Sequence, residues 1–69
     1  MMYVIKAHSI NQYIKTIVVE NGNVNTTTTK NRAKAMKFDY VDIADQVMRL
    51  LVYTHTWTFT LERIKKGEA

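Results

Sequence analysis

Only His8 and His55 offer a side-chain base that titrates near neutral pH. A nucleophile needs such a base within hydrogen-bond reach, and the base needs a third group to orient it. Ser9 follows His8 directly, but neighbours on a strand point to opposite faces, so the two cannot form a dyad. His55 opens an alternating segment on the same side as Trp57, Phe59 and Leu61, which reads as a partly buried structural histidine. Asp39, Asp42 and Asp45 recur every three residues. They could form a patch for a cation, but acids at a helix start ordinarily answer the helix dipole. The chain has no Cys, which excludes disulfides and thiolate metal sites, and no tight His/Asp/Glu cluster surrounds either histidine. Its two glycines, Gly22 and Gly67, stand too far apart to build a phosphate loop. The expectation is a protein that is not an enzyme and uses no cofactor and no metal.

Binding chemistry is more visible. Ten Lys/Arg against six Asp/Glu give a net charge of +4, a mild attraction for polyanions. Lys30, Arg32, Lys34 and Lys37 fall close together with no acid among them, and Arg63, Lys65 and Lys66 form a second group. At helical spacing Lys30, Lys34 and Lys37 project together, a candidate partner-binding segment. One use of it is weak, sequence-nonspecific nucleic-acid binding through phosphates. Tyr3 and Tyr13 fit either exposed base stacking or packing on a sheet. No helix-turn-helix, single-strand-binding or zinc-finger pattern is present, and the clear helix carries acids on its exposed side.

The elements that must position these residues follow from period and turn chemistry. Met2 to Ser9 is rich in β-branched and aromatic residues and reads as a strand. Tyr13 to Glu20 reads as a second strand, with Ile14, Thr16 and Val18 on one face and Tyr13, Lys15, Ile17 and Val19 on the other. Asn21-Gly22 is a strong hairpin signal, because a type I′ turn needs φ > 0 at both central residues. Asn23 to Thr29 is then a half-polar third strand that suits exposure. Asn31 to Lys37 suggests one helical turn leading into Phe38. Asp39 looks like an N-cap for a helix from Tyr40 to about Tyr53, in which Val41, Ala44, Val47, Met48 and Leu51 recur at helical spacing. Thr54 to Ile64 alternates cleanly and reads as a last strand whose Trp57, Phe59 and Leu61 pack on Val47 and Leu51 of the helix. The fold class expected is α+β: an antiparallel sheet in the order β-β-β-α-β with one helix on one face.

Residues 1–64 make a single domain in this reading, with 65–69 a frayed tail. A chain of 69 residues buries little surface, and small domains commonly need a staple or a partner subunit. With no disulfide and no metal, a homo-oligomer is expected by elimination. Val4, Tyr13, Ile17 and Val19 are apolar positions on an open sheet face, a candidate interface, unless the second strand sits mid-sheet and curls round the helix. No run reaches the roughly 18 apolar residues of a membrane span, and the start lacks the pattern of a signal peptide. The expectation is no membrane partner and a cytoplasmic location.

Tyr13-Ile14-Lys15, Gly22-Asn23-Val24, the run Thr28 to Phe38 and Ala44 together carry a resemblance. This stretch is similar to small uncharacterised phage and prophage proteins of Gram-positive bacteria. Those chains show a short meander, a T-x-K-x-x-A-x-x-F style segment, a helix with an early Ala and a final strand. This chain departs in the spacing between the Ala and Phe positions. The resemblance implies no catalytic residue. It implies an accessory protein in a bacterial host cell that binds and inhibits a host protein, including host defence proteins, or forms small oligomers.

Overall fold

The computed structural model describes residues 2–65. Its elements are β1 (Met2–Ala7), β2 (Gln12–Glu20), β3 (Asn23–Thr29), a short 3-10 turn (Arg32–Lys34), α1 (Val41–Thr54) and β4 (Phe59–Ile64). The strands form one antiparallel sheet in the order β3-β2-β1-β4, with α1 against β1 and β4. This is the expected α+β arrangement. No helix among the described residues is long and apolar enough to cross a membrane.

Local chemistry sets both hairpins. Asn21 and Gly22 take φ of 53° and 77°, the two left-handed positions of a type I′ turn, and Glu20 pairs with Asn23 across it. At the other hairpin the Asn11 amide donates to the His8 carbonyl at 3.2 Å, and Asn11 itself adopts φ of 53°. Asparagine tolerates that region better than most residues do.

β2 does not alternate as its period suggests. Ile14 pairs with Thr28 and Thr16 with Thr27, so Lys15 is an extra residue in a β-bulge. Downstream of it Ile17 pairs with Thr26 and Val19 with Val24. Ile14, Ile17 and Val19 therefore share the helix-side face, while Tyr13, Thr16 and Val18 share the other. The expected split of β2 into two faces is corrected by this single inserted residue.

β1 and β2 pair only at Lys6–Tyr13 and Ala7–Gln12, then diverge. The segment after the 3-10 turn fills the gap. Met36 donates to the Ile14 carbonyl at 2.9 Å, and Phe38 exchanges both backbone hydrogen bonds with Tyr3. The chain thus passes between β1 and β2 from one face of the sheet to the other. This produces two small cores. On the helix side Ile5, Ile14 and Leu51 are buried, with Phe38, Val47, Met48, Trp57, Phe59 and Leu61 packed round them. On the far side Val4, Ala35 and Ile64 are buried, with Met2 and Tyr13 against them.

Several boundaries differ from expectation. α1 begins one residue late, with Tyr40 at the N-cap position and no side-chain cap, so Asp39 does not cap it. The helix runs through Thr54, and the extended segment resumes as a strand only at Phe59. Residues 55–58 instead cross the helix-side face, where the His55 and Trp57 rings lie 4.9 Å apart. The expected packing of Trp57, Phe59 and Leu61 with Val47 and Leu51 is present all the same. The tail expected to fray falls outside the described residues from position 66 onward.

Candidate functional site

The basic segment is held by its own cations. The Asn31 side chain accepts from the Ala33 amide at 3.0 Å and starts the 3-10 turn, which ends after Lys34. Lys37 turns back and donates to the carbonyls of Ala33 and Ala35, closing the segment on itself. Arg32 donates to the Arg63 carbonyl at 2.8 Å, and its Nε lies 3.4 Å from Glu62 Oε1. Lys30 and Lys34 remain exposed. A turn of three residues gives no helical face, so the expected joint projection of Lys30, Lys34 and Lys37 is corrected.

Glu62 is the anchor of this far side. Its carboxylate accepts from the Tyr13 hydroxyl at 3.2 Å and lies 4.0 Å from the Lys6 ammonium, in addition to Arg32. Lys6 also stands 5.8 Å from the Tyr13 ring centre, within reach of a cation–π contact. These groups are partly buried over Val4, which is fully buried. The cluster pins the crossing segment to the sheet.

The expected interface of Val4, Tyr13, Ile17 and Val19 does not exist as one face. Val4 lies under Ala35, and Tyr13 is tied to Glu62, both on the far side. Ile17 belongs to the helix-side core, and Val19 is on that same face but 67% exposed. The bulge at Lys15 and the crossing of residues 35–38 account for all four.

Both histidines bond to threonine hydroxyls, and Ser9 does not pair with His8. His8 Nε2 lies 2.6 Å from Thr60 Oγ1, while the Ser9 hydroxyl accepts from the Thr58 amide at 3.1 Å. The Thr54 hydroxyl donates to the Leu50 carbonyl, so it accepts from His55 Nδ1 at 2.8 Å. Nε2 of that tautomer is an acceptor and receives the Thr26 hydroxyl proton at 3.1 Å. His55 therefore ties the end of α1 to β3. Asp45 pairs with Arg49 at 3.0 Å along the helix. Among the described residues no three His, Asp or Glu side chains converge as a metal site would need.

The feature missed in the sequence is the outer surface of α1. At 100° per residue, Ala44 and Leu51 fall on one line, and both are buried against the sheet. Ile43 and Leu50 fall on a second line at the shoulder, and Tyr53 lies further round the same side. All are exposed, Tyr53 at 90%, and Tyr40 just before the helix is 69% exposed. Val41 and Val52 are exposed on the opposite shoulder. Asp42, Gln46 and Arg49 occupy the strip between the two, and Tyr53 stands within that strip beside Leu50. The signal was present in the composition: eight of the fourteen helix residues, Val41, Ile43, Val47, Met48, Leu50, Leu51, Val52 and Tyr53, are large and apolar. That is more than one sheet can cover. The arrangement leaves Ile43, Leu50 and the neighbouring Tyr53 side by side in water, exposed apolar surface of the kind that protein contacts use. In comparison with known proteins, no family model, no curated protein and no solved structure matches this chain.

Proposed function

We propose that this is a non-catalytic protein that acts stoichiometrically by binding another protein through the exposed shoulder of α1. The observation that carries the reading is the Ile43–Leu50–Tyr53 ridge, large apolar side chains left in water on a helix that Ala44 and Leu51 hold to the sheet. Covering one such side chain is worth roughly 1.5–3 kcal/mol. Aromatic anchors on a rigid element lose little side-chain freedom when they bind. The resemblance to small phage and prophage proteins supports an accessory role, inhibition of a host protein as its outcome, and the cytoplasm of the bacterial host as its setting. Self-association belongs to the same reading, because the domain is small and carries no disulfide.

Nucleic-acid binding through the basic segment gains no support from the geometry. Arg32 and Lys37 are engaged in holding the segment, which leaves Lys30 and Lys34 as its exposed cations.

The test places a photo-crosslinking side chain at position 53 and, as a control, at exposed position 15. In host cells position 53 should give one adduct of defined mass ratio, lost in an Ile43→Glu/Leu50→Glu variant of unchanged circular dichroism. Adducts of equal yield from both positions would overturn the assignment to α1.

A further inference from the structure

The two edges of the sheet are built differently. β4 carries Glu62 and Arg63 and is followed by Lys65. Even residues of β1 exchange hydrogen bonds with β4, as the His8 amide does with the Thr58 carbonyl, so Arg63 points its carbonyl outward. Arg32 reaches round and occupies that carbonyl. Charges and a capped acceptor are the usual means of closing an edge to further strands.

β3 is followed by Lys30 but has none of these protections within its own span. Asn23–Thr29 contains no charged residue and, like the whole chain, no proline, and the bulge lies in β2. In a two-residue hairpin the pair flanking the turn is hydrogen bonded, here Glu20 and Asn23. Asn23 and Asn25 therefore direct their backbone groups to β2, and Val24 and Thr26 direct theirs outward. Thr26 is the midpoint of the strand. It is also held from behind by His55, which fixes the centre of the edge in place.

We propose that two copies of this chain pair antiparallel through their β3 edges, about a two-fold axis at Thr26, to form one continuous eight-stranded sheet. This rests on the self-association part of the reading above and on nothing claimed for α1. Centring on Thr26 uses the full length of the strand, with Val24 of each copy opposite Thr28 of the other. Asn25 then faces Thr27 of the second copy on the surface away from the helix. Val24, half-exposed in one copy, gains a β-branched neighbour. A second copy is the favoured occupant because the strand carries no charge to repel its own copy and the two-fold pairing sets Val24 and Thr28, Asn25 and Thr27, opposite one another.

Light scattering across a concentration series should give twice the 8.1 kDa chain mass at high concentration. Asn25 and Thr27 are exposed, so lysines at both positions leave the fold intact by circular dichroism. Asn25→Lys/Thr27→Lys sets like charges against each other across the axis and should weaken the dimer at least tenfold. Asn25→Glu/Thr27→Lys sets opposite charges against each other in this register and should restore it. Hydrogen exchange should find the outward Val24 and Thr26 amides protected in the dimer. A monomer at every concentration overturns the proposal, as does a dimer indifferent to both double variants. Ile43→Glu/Leu50→Glu should leave the dimer mass unchanged. If it dissolves the dimer, the copies meet through α1 and the β3 assignment fails, while the α1 reading stands. Loss of the crosslinked partner with the dimer intact has the reverse meaning.

Discussion

Tyr3 and Phe38 exchange both of their backbone hydrogen bonds, at 2.8 and 2.9 Å, across the gap where β1 and β2 part. That pair makes the crossing segment a part of the sheet and lets one chain of modest length cover both faces. Phe38 then packs into the helix-side core while Ala35, three residues earlier, packs into the other. Phe38→Ala should cost about 3 kcal/mol, the low end for an aromatic truncation because the ring is only half-buried. Urea unfolding should show it as a large fall in midpoint. Loss of less than about 1 kcal/mol would mean that the seam adds little.

The type I′ turn offers a cleaner measurement. Gly22 has φ of 77° and no atom within 4 Å of an added Cβ, so a substitution there meets conformational strain and no clash. Gly22→Ala should destabilise by about 1–2 kcal/mol, and Gly22→Asn by less, since asparagine tolerates the left-handed region. Equal costs for the two would point to a steric origin.

Glu62 serves the Tyr13 hydroxyl, Arg32 and Lys6 at once. A double-mutant cycle of Glu62→Gln with Arg32→Met should return a coupling of about 0.5–1 kcal/mol, the range for partly exposed pairs. Raising salt should shrink it, because these groups are not fully removed from water. A coupling unchanged between low and high salt would show that the pair is more deeply buried than its geometry indicates.

Trp57 is the only tryptophan, which makes its fluorescence a report on one place. It packs in the helix-side core beside the His55 and Phe59 rings. Emission should be shifted to the blue of a hydrated indole and move to the red on unfolding. Trp57→Ala should cost about 3 kcal/mol, a large share of what holds so small a domain together. Fully hydrated emission from the native protein would contradict the crossing of residues 55–58 over this face.

The exposed lysines of the basic segment give the last test. Lys30→Glu/Lys34→Glu should leave stability within about 0.5 kcal/mol, as surface changes do. Neither the native protein nor the variant should shift in mass with a DNA duplex at physiological salt. A steep salt-dependent affinity that vanishes in the variant would reinstate phosphate binding.

Local rules in the sequence were enough for the order of elements. Asn21-Gly22 demanded a hairpin because both residues accept positive φ, and the helical period of Ala44, Val47, Met48 and Leu51 marked the face that meets the sheet. The apolar set of Trp57, Phe59 and Leu61 was legible in the same way, from alternation alone. Tertiary structure decided what local rules cannot reach. Ile14 and Ile17, three apart, read as opposite faces at period two and share one only because Lys15 is extruded from the ladder. Val4 and Tyr13 read as an open surface and are covered because Ala35 arrives from a distant part of the chain. Which apolar side chains of α1 stay in water depended on the width of sheet available to cover them. A bulge, a crossing and a covered area are all settled by pairing between segments remote in sequence, and no window of neighbouring residues records them.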